Sequence, residues 1–224
     1  MLGRNTEIAL SHHRPPQGPR DIIALWFTKA MRFFADTFFA ERYGHRAIVL
    51  ETVAGVPGMV GAMLQHFRSL RLMRDDEGWI RILLEEAENE RMHLMTFVKI
   101  AQPNFIERAI ILFAQGAFFF GYGFIYLVSP ITAHRIIGYF EEEAVVSYTH
   151  YLAQIDAGKV ENIPAPQIAI DYWKLPQDAR LRDVVIAVRA DEAGHRDVNH
   201  ALADAYCEHD RDAAREEVIT KITA

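Results

Sequence analysis

Cysteine and strand-forming patterns are scarce in this chain, and basic residues do not outnumber acidic ones. Cys207 is the only cysteine among 224 residues, which excludes an internal disulfide, a Cys-x-x-Cys redox motif and a cysteine-based zinc site. The formal net charge of −6 gives no electrostatic support for a nucleic-acid partner. Any metal site must therefore use carboxylates and imidazoles, for which the 30 acidic and 10 histidine residues leave ample material.

Helical periodicity runs almost from end to end of the sequence. It predicts one all-α domain over residues 21–224, which follows a flexible N-terminal arm over residues 1–20. Residues 156–179 contain several prolines and are predicted to be a long connection. The predicted helices, four of which are long enough for a bundle, cover about residues 21–39, 43–70, 77–100, 104–129, 131–155 and 181–207.

Two of the predicted helices carry a Glu-x-x-His sequence. Residues three apart lie on one face of a helix, so each helix can offer a carboxylate and an imidazole to the same metal ion. Asp197 and His200 have the same spacing and compete with the second of these pairs. The two pairs are Glu90 with His93, and Glu192 with His195.

Two further helices carry glutamates in apolar surroundings. Glu51 stands in AIVLETVAG, and Glu141 begins the run EEEAVV. An ionised glutamate is costly to bury without a partner. One Glu from each of two helices and one Glu-x-x-His from each of two others form the ligand set of ferritin-like di-iron bundles. Carboxylates with two imidazoles suit iron or manganese better than copper or structural zinc, although a single Glu-x-x-His on a charged helix is common by chance.

Around these residues the chain resembles the alternative oxidase family. The resemblance spans about residues 42–200 and rests on LETVAGVPGMVGAML, LLEEAENERMHLMTF, GYFEEEAVVSYTH, APQIAIDYWKLP and RADEAGHRDVNH. It implies a ferritin-like four-helix bundle that holds two iron ions, without haem or flavin, and two additional helices that form a membrane-binding surface. It also implies a homodimer that oxidises ubiquinol and reduces oxygen to water, insensitive to cyanide and without proton pumping.

The resemblance further implies roles for individual residues. It selects the first Glu of the EEE run, and it selects Glu192 with His195 over the competing pair. The implied iron ligands are Glu51, Glu90, His93, Glu141, Glu192 and His195, with Tyr148 as an essential catalytic residue beside them. The implied quinol-binding residues are Arg46, Leu50, Phe140, Glu143, Ala144 and Ser147. Positions that support the ligands are Asn89, Asp191 and Trp173.

Alternatives remain at this stage, both for the function and for the relation to the membrane. A di-iron quinone hydroxylase of the same fold and an iron-storage bundle would use similar ligands. Residues 109–130 carry no charge and are long enough to span a bilayer, whereas the resemblance implies a monotopic protein on one leaflet. Because the N-terminal residues fit neither a secretory signal nor an organellar presequence, we expect a peripheral inner-membrane protein on the cytoplasmic face of a bacterial cell membrane. A processed organellar form is the alternative.

Overall fold

The computed structural model describes residue 10, residues 12–39 and residues 43–223 of the chain. Within these residues the protein consists of seven α-helices and no β-strand, which confirms the all-α prediction. The helices are α1 (Pro19–Phe39), α2 (Tyr43–Leu72), α3 (Trp79–Ala101), α4 (Phe105–Val128), α5 (Pro130–Asp156), α6 (Gln167–Trp173) and α7 (Leu181–Thr223).

Two helices differ from the sequence-based prediction. The short helix α6 forms inside the predicted connection and ends at Lys174, whose φ of 56° is left-handed. Seven residues are too few for periodicity to reveal a helix. The last helix, α7, continues to Thr223 instead of ending near Cys207. Its extra residues are rich in Ala, Glu and Arg, which favour helix without forming an apolar face.

Local signals fix the start of α5 and both ends of α3. The Ser129 hydroxyl caps α5 by accepting a hydrogen bond from the backbone N–H of Thr132, and Pro130 occupies the first helical position, where no N–H is needed. Gly78 precedes α3 with a φ of 86°, and Gln102 ends α3 with a φ of 47°. These residues therefore set the axial position of two helices that carry candidate site residues.

The four-helix bundle is built from two helix pairs, α2 with α3 and α5 with α7. The first pair is antiparallel, since Gly44 at the start of α2 lies against Ala101 at the end of α3, and Gly58 lies against Leu83 and Ala87. The approach at Gly58 is so close that a Cβ there would stand 2.5 Å from the carbonyl oxygen of Leu83. Backbone contact of this kind brings the two helices of the pair within reach of a shared site.

Helices α1 and α4 lie outside this bundle. α1 packs on α5, and α4 packs on α2 and α5, so both lie on one side of the bundle. The segment Arg108–Val128 is the one stretch in the described part of the chain that is long and apolar enough to cross a membrane, and only 11% of it is buried. Large apolar side chains that both helices leave exposed include Ile23, Trp26, Phe33, Phe34, Leu112, Phe113, Phe120, Phe124 and Leu127.

Charged contacts fasten the chain before α1 to the bundle. The Arg14 guanidinium lies 2.7 Å from an Asp204 carboxylate oxygen. The backbone N–H of Arg14 donates a hydrogen bond to the Glu142 carboxylate. The buried Arg135 of α5 bridges Asp21 of α1 and Asp204 of α7 at 2.9 and 2.7 Å. α1 is therefore tied to the bundle by ion pairs as well as by apolar packing.

The close approach of α2 and α3 predicts the stability of a Gly58→Ala variant. The new methyl group would overlap the backbone of α3, and the helices would have to separate. We expect the free energy of unfolding to fall by about 1–3 kcal/mol, as measured by denaturant titration. Gly116→Ala in α4 is the matched control, because no atom lies within 4 Å of its added Cβ, and there we expect a gain of about 0.5–1 kcal/mol. Equal stability changes in the two variants would contradict this description of the helix pair.

Candidate di-metal centre

Six side chains singled out in the sequence meet inside the four-helix bundle. Five of them expose at most 5% of their surface, and the side chain of His195 is 12% exposed. Each helix contributes the share that the sequence predicted. The contributions are Glu51 from α2, Glu90 and His93 from α3, Glu141 from α5, and Glu192 and His195 from α7.

The six side chains form two adjacent groups of four, an arrangement suited to two metal ions. Within each group the candidate ligand atoms all lie within 4.8 Å of one another. Glu90 and Glu192 belong to both groups, so they lie between the two positions and can bridge them. The other members are Glu51 and His93 in the first group, and Glu141 and His195 in the second.

Several buried atoms of the cluster have no hydrogen-bond partner among the described residues. They include both carboxylate oxygens of Glu90, Oε2 of Glu192 and Nδ1 of His195. His195 Nδ1 lies 2.7 Å from Glu90 Oε1, yet the two atoms are not aligned as donor and acceptor. An unsatisfied buried polar atom costs about 1–3 kcal/mol. A cation bound between these atoms would remove that cost, so the residues fit a metal site.

The charge and chemistry of the donor set narrow the choice of cation. Four ionised glutamates carry a charge of −4, which two divalent cations would neutralise. The described chain offers the cluster carboxylate oxygens and imidazole nitrogens, and no thiolate. Such ligands suit iron or manganese, and this arrangement on four helices is the one that di-iron carboxylate bundles use. The donor set therefore fits a pair of iron ions.

Burial and the neighbouring charges raise the pKa of some cluster glutamates and lower that of another. Burial, followed by the neighbouring carboxylates, raises the pKa of Glu51 and of Glu141 well above the ordinary value. Burial acts on Glu90 too, but the adjacent imidazoles of His93 and His195 outweigh it and lower the pKa of Glu90 well below the ordinary value. Because metal ligands must lose their protons, metal binding at this cluster would compete with protons at Glu51 and Glu141.

Asp191 orients one of the candidate imidazoles. It faces Nε2 of His93 at 3.2 Å, so that Nδ1 of the same ring faces the glutamates. Asp191 also accepts hydrogen bonds from Trp173 Nε1 at 2.7 Å and from Asn89 Nδ2 at 3.0 Å. The supporting positions implied by the resemblance thus meet on one carboxylate, in the arrangement that fixes the orientation of metal-binding histidines.

Tyr148 contacts the cluster from the cavity side. Its hydroxyl donates a hydrogen bond to the Glu51 carboxylate, and its ring stacks on Phe97 at a centroid distance of 5.8 Å. Burial, followed by the charge of Glu51, raises the pKa of Tyr148 well above its ordinary value. The phenol therefore keeps its proton at neutral pH and holds it at the edge of the candidate metal site.

The competing pair lies outside the cluster. Asp197 is exposed and pairs with Arg196, while His200 contacts Glu142 at 3.0 Å and Arg135 at 2.9 Å. The structure therefore brings Glu192 and His195 into the cluster and leaves Asp197 and His200 outside it.

A second buried group was missed in the sequence. Asn199 donates to both carboxylate oxygens of Glu86 at 2.9 Å and contacts Nδ1 of His134 at 3.0 Å. Burial raises the pKa of Glu86 to about 7 and lowers that of His134 to about 4. The one available signal was that Glu86 precedes Glu90 by four residues and so shares its helix face. The acidic run that surrounds Glu86 concealed it.

A cavity of about 480 Å³ reaches from the cluster to the gap between α1 and α4. Its wall includes Tyr148 and three of the cluster glutamates, Glu51, Glu141 and Glu192. Most of the remaining wall is apolar. Five of the predicted quinol-binding residues line it, namely Leu50, Phe140, Glu143, Ala144 and Ser147. The sixth, Arg46, belongs to α2, but its side chain lies outside the described residues.

Arg32 of α1 also lines this cavity and was not predicted. Its Nη1 atom donates to Glu143 Oε2 at 2.7 Å, and its Nε atom donates to Asp36 at 2.7 Å. Arg32 therefore joins α1 to α5 across the cavity wall. Local sequence patterns could not reveal this role of Arg32, because its contact with Glu143 spans 111 residues.

Curated relatives match most of this chain. A rice protein named "Ubiquinol oxidase 1a, mitochondrial" is 58% identical over 202 residues, which are 90% of this chain and 61% of the relative. "Ubiquinol oxidase, mitochondrial" from the chytrid Batrachochytrium dendrobatidis is 56% identical over 206 residues, 92% of this chain and 65% of the relative. "Ubiquinol oxidase 1c, mitochondrial" from Arabidopsis thaliana is 57% identical over 199 residues, which are 89% of this chain and 60% of the relative. The chain thus spans somewhat less than two thirds of the length of these relatives.

These names correct one expectation. The sequence analysis expected the cytoplasmic face of a bacterial cell membrane, and that expectation is wrong, because the relatives are named as mitochondrial proteins. The reasoning rested on N-terminal residues without a presequence pattern. The first residues of a chain that matches only part of its relatives carry no information about a targeting segment.

The sequence profile described as "Alternative oxidase" matches residues 4–204. The match includes α2, α3, α5 and the part of α7 up to residue 204. All six side chains of the buried cluster lie within it. Together with relatives that are 55–58% identical over about nine tenths of the chain, this match shows that the chain belongs to the alternative oxidase family.

Proposed function

We propose that this protein is a non-haem di-iron oxidase that takes electrons from ubiquinol and reduces oxygen to water. The observation that carries the proposal is the shared wall between the buried cluster and the cavity. Glu51, Glu141 and Glu192 belong to both, so a lipid-soluble quinol in the cavity would lie against the metal ligands. An iron-storage bundle has no use for an apolar cavity of this size beside its metal site.

The six clustered residues are proposed as the iron ligands. Glu90 and Glu192 would help to hold both ions, because both belong to each group of candidate ligands. Asp191 contacts Nε2 of His93, which leaves Nδ1 facing the cluster glutamates, where it would hold an ion. Two bound iron ions would supply the redox chemistry, since they can alternate between the ferrous and ferric states as electrons pass from quinol to oxygen.

The cavity residues would orient the quinol and manage its protons. Leu50, Phe140 and Ala144 offer apolar surface to the quinol ring, while Arg46 and Ser147 are proposed polar contacts on the strength of the family resemblance. Tyr148 carries a phenol proton that is hydrogen-bonded to Glu51. It is therefore placed to exchange a proton, or a proton with an electron, between the quinol and the ligand shell.

The overall reaction balances without protons from outside. Two quinols release four electrons and four protons, and one oxygen molecule takes up all of them to form two waters. We also propose oxidation without proton pumping, because a protein bound to one leaflet provides no path for protons across the membrane. Because the proposed oxygen site uses no haem, we also propose that the activity persists in cyanide.

The exposed apolar faces of α1 and α4 support attachment to one leaflet of a membrane. α4 cannot be surrounded by lipid, because Gln115 reaches the backbone of Thr52 and Gly123 lies against Val60 of the bundle. Its outer face, in contrast, exposes Phe120 and Phe124 at 74% and 68%. A helix that is packed on one side and apolar on the other would lie in the membrane interface.

A separate apolar stripe supports the homodimer that the resemblance implies. On α2, the exposed side chains of Met59, Met63, Phe67 and Leu70 recur at helical spacing. Exposed apolar patches of this kind mark interaction surfaces. We propose that two copies of the chain meet along this stripe.

The proposed ligands predict the metal content of two variants. Glu90→Ala removes a bridge from both ion positions, and we expect the purified protein to lose bound iron, as measured by elemental mass spectrometry. Asp191→Ala leaves all six ligands in place, but His93 loses its partner, and we expect iron affinity to fall about 10- to 100-fold. The control is Glu88→Ala, since Glu88 lies on the same helix but is exposed and pairs with Arg91. Full iron content in Glu90→Ala would contradict the ligand assignment.

Oxygen uptake tests the proposed activity. Purified protein in detergent should consume oxygen when a short-chain ubiquinol is added, with cyanide present. Glu90→Ala should abolish uptake, and Tyr148→Phe should slow it about 100-fold, as expected for loss of a proton-transferring group. Tyr122→Phe is the control, because this buried tyrosine of α4 does not line the cavity. If iron-loaded, folded protein consumes no oxygen, the oxidase proposal fails, and hydroxylation of the quinone becomes the next reaction to assay.

Vesicle binding tests the membrane proposal. The double variant Phe120→Glu/Phe124→Glu places two charges on the outer face of α4. Two aromatic side chains that would enter the membrane are lost, which should weaken binding about 100-fold or more. Co-sedimentation with liposomes measures the bound fraction. The control variant, Val146→Glu/Ile186→Glu, changes two exposed apolar residues of α5 and α7. An equal loss of binding in both double variants would show that α4 is not the membrane-binding element.

A further inference from the structure

Thr28 of α1 is fully buried, and its hydroxyl has no hydrogen-bond partner among the described residues. Threonine in a helix ordinarily satisfies its hydroxyl on the carbonyl one turn earlier. Thr37, Thr52 and Thr149 all do so, donating to the carbonyls of residues 33, 48 and 145 at 2.7–2.8 Å. Thr28 departs from this behaviour, as does Thr96 of α3.

Thr28 lies in the wall of the cavity. Three buried hydroxyls in the described part of the chain have no partner, those of Thr28, Thr96 and Tyr139, and of these only Thr28 lines the cavity. Arg32 follows Thr28 by four residues and so lies on the same face of α1. The neighbouring Phe27 contacts Phe140 of α5, with ring centroids 6.1 Å apart. Thr28 therefore lines the same cavity as Arg32 and Phe140.

Outside the proposed iron ligands, the charged side chains of the cavity wall and the Tyr148 hydroxyl already have partners. Arg32 and Glu143 pair with each other, and Tyr148 donates to Glu51. Thr28 has no surface open to water, so a ligand oxygen reaches its hydroxyl only when a neighbouring side chain moves. Met31 also lines this wall, and its flexible side chain can yield to an incoming ring.

We propose that the Thr28 hydroxyl donates a hydrogen bond to an oxygen substituent on the quinol ring. It would thereby select benzoquinols that carry alkoxy groups, as ubiquinol does, over benzoquinols that carry only methyl groups. The inference rests on the proposed function, in which the cavity binds the quinol. A site with a buried donor discriminates against a ligand that lacks the matching acceptor, because the donor is then left unpaired.

Equilibrium binding of oxidised quinones to the iron-loaded protein tests this proposal without turnover. The probes are a short-chain dimethoxy benzoquinone and tetramethyl benzoquinone. Thr28→Val keeps the shape of the side chain and removes the hydroxyl. We expect it to weaken binding of the dimethoxy quinone about 2- to 12-fold and to leave binding of the tetramethyl quinone unchanged, while Thr28→Ser, which keeps a hydroxyl, should restore selectivity. The matched control is Thr37→Val, since Thr37 lies on the same helix, is exposed and is absent from the cavity wall.

Thermal stability provides a second readout. If the hydroxyl is unpaired in the free protein, Thr28→Val should raise Tm by about 2–4 °C, because it removes an unsatisfied buried group. A fall in Tm would show that the hydroxyl has a structural partner and would overturn the proposal. Equal weakening for both quinones, or none for either, would overturn it as well.

The outcomes also separate this inference from the proposed function. Selective quinone binding that Thr28→Val abolishes, in protein that consumes no oxygen, would retain the hydrogen-bonding site and reject the oxidase. Oxygen uptake with unchanged selectivity in Thr28→Val would retain the oxidase and reject the role of Thr28. Failure of the wild-type protein to bind either quinone would reject both.

Discussion

Repulsion among four glutamates buried together is the constraint on which the rest of this structure depends. Glu51, Glu90, Glu141 and Glu192 come from four different helices and share one small volume. Removing such charges from water costs several kcal/mol for each ion, even after the protein relaxes. Only bound cations, or protons where cations are lacking, make the arrangement tolerable. The bundle is therefore organised to hold a charge that the protein chain itself does not supply.

The helices around the cluster are fixed by contacts that leave little freedom. Gly58 lets α2 and α3 approach to backbone contact, and Arg135 ties α5 to α1 and α7. The network of Asp191 with His93 and Trp173 sets the orientation of an imidazole. A metal centre with bridging ligands requires such rigidity, because small displacements of the ligands change the distance between the two ions.

The same bundle is open on one side, toward α1 and α4, and this asymmetry relates the site to its surroundings. The cavity connects the cluster with the gap between these two helices, and both expose large apolar side chains on their outer faces. A substrate dissolved in a membrane could enter without crossing water. Arg32 and Glu143 provide a paired charge in an otherwise apolar wall, and Thr28 adds a single unpaired hydroxyl. The polar groups of the cavity are thus few, which lets each one contribute to substrate recognition.

The sequence by itself determined the all-α fold, the long helices and the six candidate ligands. Each of these is encoded locally, in periodicity or in spacings of three residues, and the family resemblance removed the ambiguity between Glu192 and Asp197. Tertiary structure alone decided the contacts that join distant segments. Asn199 meets Glu86 across 113 residues, and Arg32 meets Glu143 across 111. Local patterns cannot reveal such pairs, because their energy arises only when packed helices bring the two side chains together. The unpaired hydroxyl of Thr28 belongs to the same class, since a missing partner is visible only when every neighbour is in place.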